Sequence, residues 1–451
     1  MSSKKHNVKR ELAHLAREVH HVGREIGRAA DAQGRNLIKH GRMLGPGLIT
    51  GAADDDAGGI ATYSIVGATT GFALGWLMVL STPMLIAVQG ICAKIGNVTK
   101  KGIATLTRER YGRNVAMLSA ALLVIANVAI IAADVAGMSL AAELFTGIPW
   151  AYFVIPLCLA VLYVVVYKNF NTIQKVLIYL SFVLLAYVAA GILAKPDWGE
   201  VLRQTLVPRV EFSVPFLLAA VGLLGTTITP YLFYWQTAAE IEAKRTEKQH
   251  ARVNFDVITG MVYSNLVSYF IIIAAGTELY PRLQAIGGAA ALSSAPDPAR
   301  FIALALRPVA GDYSFYLFAI GLFAASVLAI AVLSSSTAFV VSETLGWSKG
   351  LNKRVRQARG FYGVIAASVL AGAAILFVGV TPYVALYYSQ VLSGILDLPL
   401  LIIIMALATD KAVMGQDAVS GWWKRVGYAT IGVIAVAVIA LFYGILFPTV
   451  A

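Results

Sequence analysis

The chain has 451 residues, of which 58% are hydrophobic and 13% charged, with a formal net charge of +12. So little polar surface excludes a soluble globule, and apolar runs of about 18 to 25 residues match the helix length that crosses roughly 30 Å of hydrocarbon while excluding membrane strands. The positive charge maps onto the segments between those runs, so it calls for the headgroups of a lipid bilayer and for no nucleic acid.

Residues 1–42 form a unit of their own. Val8, Leu12, Leu15, Val19, Val22 and Ile26 recur at spacings of three and four among basic residues and five of the six histidines, which predicts a basic amphipathic cytoplasmic helix. Such a helix lies on the inner leaflet or against the membrane body; a short coiled coil and a regulatory histidine metal site are weaker alternatives. The polar character of this stretch does not fit a cleavable signal peptide.

Eleven membrane helices are predicted, near residues 44–70, 75–97, 114–138, 149–167, 176–194, 215–240, 255–276, 313–342, 361–379, 383–408 and 426–448. With the N-terminus in the cytoplasm, 30 of the 36 Lys and Arg fall on inner segments, leaving Lys195, Arg203, Arg209, Arg282, Arg300 and Arg307 outside. The positive-inside rule therefore predicts a cytoplasmic N-terminus and an extracellular C-terminus. Cys92 and Cys158 sit inside apolar runs without metal-ligand spacing and are expected to pack.

Chemistry concentrates in the first span, GPGLITGAADDDAGGIATYS, where Asp54, Asp55 and Asp56 lie between apolar stretches. Each buried charge costs at least about 2.5 kcal/mol in lipid, so something must compensate for three. Gly58 and Gly59 follow directly, and the helix is expected to unwind at them, turning backbone carbonyls toward an ion. The sixth span, GLLGTTITPYLFYWQTAAE, contains Pro230, which removes an amide donor and leaves carbonyls near Thr226 unpaired. Broken helices in the first and sixth places are the mark of inverted-repeat transporters. The expected fold is thus an all-α integral membrane protein of two inverted five-helix repeats (LeuT-like), 43–194 and 215–408, within a transporter core spanning 43–408. Residues 409–451 would supply a cytoplasmic loop and the eleventh helix.

These residues resemble the NRAMP divalent-metal transporters, and in particular the NRAMP-related magnesium transporter branch, over nearly the whole membrane region. The family's first helix carries GPG followed by DPGN. Here Gly45–Gly47 is followed by Asp56, Ala57, Gly58 and Gly59, so Asp56 takes the metal-binding aspartate's place. The family's GATVMPHN is matched by GTTITPYL from Gly225 to Leu232, with Thr229 in the metal-binding methionine's place and Tyr231 in the histidine's. Its SQV is reproduced at Ser389, Gln390 and Val391, making Gln390 a candidate ligand. The family's AEIAIIATDLAEVIG is matched by ANVAIIAADVAGMSL, which keeps Asp134 but has Asn127 and Gly137 in place of two glutamates.

The departures share one chemical direction. Losing a thioether and gaining a hydroxyl favours hard ions, and Asp55 beside Asp56 makes the site more anionic, while Gly59 makes it roomier. Mg2+ is usually held by one or two carboxylates with several waters retained. The resemblance and these changes together imply a carrier of Mg2+, with Mn2+ also accepted and Ca2+ poorly handled, working by alternating access. The candidate metal site comprises Asp56, Asp55, Ala53, Gly59, Thr226, Thr229 and Gln390; Asp54, Asp134 and Asp397 are candidates for an ion or proton path. Because the resemblance implies a proton relay of which three members are missing here, transport without proton coupling is expected. Tyr231 and Trp235 are expected to pack the bundle, Glu240 and Glu242 to form a solvated face at the inner exit, and Ser334–Thr337 to permit close helix packing.

A proton-coupled Mn2+/Fe2+ symporter of the same family is the nearest alternative. An intramembrane aspartic protease, an amino-acid or organic-cation carrier and an Mg2+ channel are more distant. The reading is therefore not an enzyme, has no cofactor, takes a divalent metal ion as substrate, and places the chain in a prokaryotic plasma membrane. Oligomeric state is left open, a monomer being compatible.

Overall fold

A computed structural model describes residues 46–167, 182–243, 250–288, 292, 298–351 and 353–447. The amphipathic helix expected over residues 1–42 and the first part of the fifth span lie outside the described residues. Within them, helices occur at all eleven expected span positions. Among the described residues, eight helical stretches are each long and apolar enough to cross a bilayer by themselves.

The first span is two half-helices, α1 (Pro46–Asp54) and α2 (Ala57–Thr70). After it come α3 (Gly75–Thr99), the short α4 (Ile103–Tyr111), the 34-residue α5 (Arg113–Thr146) and α6 (Ala151–Tyr167). The described part of the fifth span ends in α7 (Leu185–Leu193), and the chain then turns through 111° into α8 (Trp198–Leu206). The sixth span is again divided, into α9 (Val214–Thr227) and α10 (Pro230–Glu242). The remaining spans are α11 (His250–Glu278), α12 (Ser314–Leu345), α13 (Arg359–Phe377), α14 (Pro382–Thr409) and α15 (Gly421–Leu446).

Packing places the two divided spans at the centre. α11 lies along both α1 and α2, α14 lies along α9 and α2, and α5 is flanked by α12, α13 and α14. Close approach is set by small residues, as expected where lipid supplies no hydrophobic drive between helices. A Cβ on Gly51 would run into the backbone of Gly260 on α11, and one on Gly225 into the backbones of Gln390 and Gly394 on α14. The periphery is apolar: α15 leaves Val436, Ile439 and Tyr443 exposed, a surface suited to lipid.

Candidate metal site

The break in the first span falls at Asp55–Asp56, not at the glycines that follow, which correct the expectation by belonging to the first turn of α2. The cause is a cap. Asp56 has extended backbone (φ −73°, ψ 176°), and its Oδ1 accepts the Gly59 N–H at 2.5 Å, so the carboxylate starts a new helix rather than continuing α1. Asp134 on α5 accepts the Ala57 N–H at 3.1 Å, placing a second carboxylate at the N-terminus of α2, where the helix dipole favours negative charge. The glycines serve proximity: a Cβ on Gly58 would collide with the Gln390 amide, and one on Gly59 would lie 2.7 Å from Thr226 Oγ1.

The second break falls at Ile228–Thr229. Pro230 opens α10, where a missing N–H costs nothing, and Thr229 precedes it in extended conformation (φ −80°, ψ 136°). The end of α9 and the start of α10 are therefore separated at a gap where the Thr229 hydroxyl lies 3.4 Å from Asp54 Oδ1.

Around that gap the donors are oxygen. Gln390 Nε2 lies 3.3 and 3.4 Å from the two Asp56 oxygens, while Gln390 Oε1 and Thr226 Oγ1, both buried, have no protein partner. Tyr231, expected to pack the bundle, also donates its hydroxyl to the Ala53 carbonyl at 2.7 Å. Ser336 on α12 donates to the Tyr231 carbonyl at 2.9 Å and Asn127 donates to Thr337 Oγ1 at 2.9 Å, so the Ser334–Thr337 run does more than permit close packing.

The three consecutive acids divide: Asp54 and Asp55 meet at Ser264 on α11, whereas Asp56 faces Gln390 and Gly59. Asp54 accepts from Ser264 on α11 at 2.9 Å and from Thr229 at 3.4 Å. Asp55 Oδ1 accepts from Ser268 at 2.9 Å and from Ser264 at 3.2 Å, and its Oδ2 has no protein partner. Among the described residues no group of three or more His, Cys, Asp or Glu side chains is placed to hold a metal. Asp397 on α14 is fully buried and lies elsewhere on the Gln390 helix.

Several partners of these acids and half-helices carry no motif in the sequence. Ser264 and Ser268, one turn apart on α11, are a polar stripe that helical spacing could have revealed. Asp256 caps α1 through the Gly47 and Leu48 N–H groups at 2.9 and 3.1 Å, and Thr50 donates to Gln236 on α10. Glu240 corrects the solvated-face reading: it is fully buried, bonded by Gln236 at 2.9 Å and by Asn97 of α3 at 3.2 Å.

The family model described as "Natural resistance-associated macrophage protein-like" matches residues 47–444. The chain belongs to this NRAMP-like family. It is 30% identical over 263 residues to the divalent metal cation transporter MntH of Yersinia pestis (strain Pestoides F), a match covering 56% of this chain and 63% of that protein. To the MntH of Deinococcus radiodurans it is 25% identical over 409 residues, 88% of each chain. A solved structure of the Eremococcus coleocola manganese transporter superposes with a TM-score of 0.70 at 20% identity, covering 89% of this chain and 87% of the other. Mhp1, a nucleobase-cation-symport-1 family transporter, does so with 0.57 at 13%, covering 89% and 92%. These likenesses establish the LeuT-like all-helical fold of this NRAMP-like chain and its place among integral membrane proteins.

Proposed function

We propose that the chain carries divalent cations across the membrane by alternating access, with Mg2+ as its main substrate and Mn2+ as a second. The observation that carries this reading is the pairing of Asp56 with Gln390 between two broken spans, beside oxygen acceptors that no protein donor engages. Carboxylate, amide and hydroxyl oxygens suit a hard cation, and Thr229 supplies a hydroxyl where a thioether would favour softer ions. One carboxylate with sparse neutral oxygens suits an ion that retains most of its water, as Mg2+ does. Asp56 is the principal ligand, with Gln390, Thr226 and the Ala53 carbonyl around it; Gly59 gives room, Thr229 sets ion preference, and Asp55 adds negative charge.

Transport runs without an obligatory proton. Tyr231 stands in place of a histidine, and Asp134, whose Oδ1 takes the Ala57 N–H while its Oδ2 has no protein partner, has Asn127 and Gly137 on its own helix where a relay would place further acids. The membrane is a prokaryotic plasma membrane, with the N-terminus inside and the C-terminus outside; the bacterial relatives and the distribution of Lys and Arg support this. A second reading, a proton-coupled Mn2+/Fe2+ symporter, is favoured by the names of the relatives, which are a divalent metal cation transporter and a manganese transporter.

The deciding experiment is uptake of Mg2+ and Mn2+ into proteoliposomes by the wild type and by Asp56→Ala, with internal pH followed in parallel. Uptake of both ions at constant internal pH, abolished in Asp56→Ala, is the expected result. Sustained metal-dependent acidification would establish the symporter instead.

A further inference from the structure

Among the described residues, Asp397 is the one buried acid with neither carboxylate oxygen in a hydrogen bond. The others are engaged: Asp134 by Ala57, Asp256 by Gly47 and Leu48, Glu240 by Gln236 and Asn97, Glu343 by Lys349 and the Thr105 N–H. A carboxylate in a spanning helix without a partner is costly in lipid, and a protonated carboxyl would still need an acceptor for its hydrogen. A purely structural acid would therefore show a partner.

Its position gives it a use. Gln390, Ser393 and Asp397 are spaced three and four apart on α14, so they share one stripe of the helix. All three are fully buried, and Gln390 Oε1, Ser393 Oγ and both Asp397 oxygens lack protein partners. The stripe starts at the residue that touches Asp56 and runs toward Thr409, next to the end where Arg110 pairs with Asp410. Gly394, in the middle of it, packs against Val221 and Gly225 of α9, so α14 is held at backbone contact with the divided sixth span.

We propose that Asp397, with Ser393, is a second station for the hydrated divalent cation, about 10 Å beyond Gln390 on the inner half of its path. The inference rests on the cargo reading above and adds a site to it. One carboxylate and one hydroxyl present only oxygen and too few ligands to strip the ion, so binding is through retained water and is weak. A weak second site lowers the barrier for leaving the first, since passage requires sites an ion can both enter and leave.

The test measures Mn2+ binding in detergent by calorimetry and uptake of Mg2+ and Mn2+ into proteoliposomes, for wild type, Asp397→Asn and Asp397→Glu, with thermal stability alongside. Asp397→Asn is expected to slow uptake about tenfold while Mn2+ affinity stays within about twofold, and Asp397→Glu to recover most of the rate. Wild-type uptake in Asp397→Asn would overturn the station and leave the carrier reading intact. Loss of Mn2+ binding in Asp397→Asn would also overturn it, assigning Asp397 to the Asp56 site. Equal slowing in both variants, with both less stable, would make Asp397 structural. A wild type that moves neither ion would remove the cargo reading and the station together.

Discussion

The hydroxyl of Tyr231, in the first turn of α10, donates to the carbonyl of Ala53, near the end of α1, and so joins the two divided spans at their gaps. Tyr231→Phe keeps the ring and removes this bond. A buried neutral hydrogen bond contributes about 1 kcal/mol, and thermal denaturation should show a loss of that size. The freed carbonyl gains a lone pair for an ion, so Mn2+ binding should tighten modestly. Unchanged stability together with unchanged affinity would mean that the bond links nothing of consequence.

Thr229 tests the hard-ion assignment. Its hydroxyl lies 3.4 Å from Asp54 Oδ1 in the sixth-span gap. Thr229→Met introduces a thioether, and Thr229→Cys introduces sulfur with little change in volume. Both should raise the Mn2+ to Mg2+ uptake ratio, by about tenfold for the methionine. An identical ratio in both variants would show that residue 229 does not set ion preference.

Two glycine substitutions separate function from packing. At Gly58 an added Cβ meets the end of the flexible Gln390 side chain, which can swing away at the expense of its contact with Asp56. At Gly51 the obstacle is the Gly260 backbone, which cannot yield without moving α11. Gly58→Ala should therefore lose most cation uptake with little change in stability. Gly51→Ala should cost about 1–3 kcal/mol of stability. Uptake by proteoliposomes and thermal melting measured on the same preparations would distinguish the two.

Much of this was legible because membranes restrict the options. Apolar run length placed the spans, and an acidic triplet plus Pro230 marked both gaps. In the sequence Gly58 and Gly59 read as the breakers, yet the break lies a few residues earlier; which residue caps a helix depends on what the carboxylate reaches, and Asp56 reaches the Gly59 N–H. The partners of the acids were hidden for a related reason. Ser264 and Ser268 lie more than 200 positions from Asp54 and Asp55 in the chain, and only the packing of α11 on α1 brings them together. Glu240 looked solvated because it stands near the end of an apolar span, yet Asn97 of α3 closes over it.

Asp256 holds the start of α1. Its two oxygens take the Gly47 and Leu48 N–H groups, which no turn of α1 itself can satisfy. Asp256→Ala should release that end, with a cost of about 0.5–2 kcal/mol for a lost cap. Hydrogen exchange at residues 47 and 48 should accelerate, while exchange in α2, whose start is capped by Asp56, should not. Unchanged protection at both amides would show that other contacts fix α1.

The acidic triplet itself yields the sharpest comparison. Asp56 sits against Gln390 and Gly59, whereas Asp55 sits against Ser264 and Ser268 on the opposite partner helix, with one oxygen left over. Asp56→Asn removes the carboxylate that Gln390 touches and should abolish uptake of both ions. Asp55→Asn keeps an oxygen for the two serine hydroxyls, so the fold should hold, and it removes one negative charge near the ion. A fully hydrated ion feels that charge through its water, whereas an ion bound directly to Asp56 depends on contact oxygens. Asp55→Asn should therefore depress Mg2+ uptake more than Mn2+ uptake, by about threefold in the ratio. Equal loss of both ions in Asp55→Asn would make Asp55 a direct ligand beside Asp56, and no loss of either would make it an acid that serves only to bind α11 to α1.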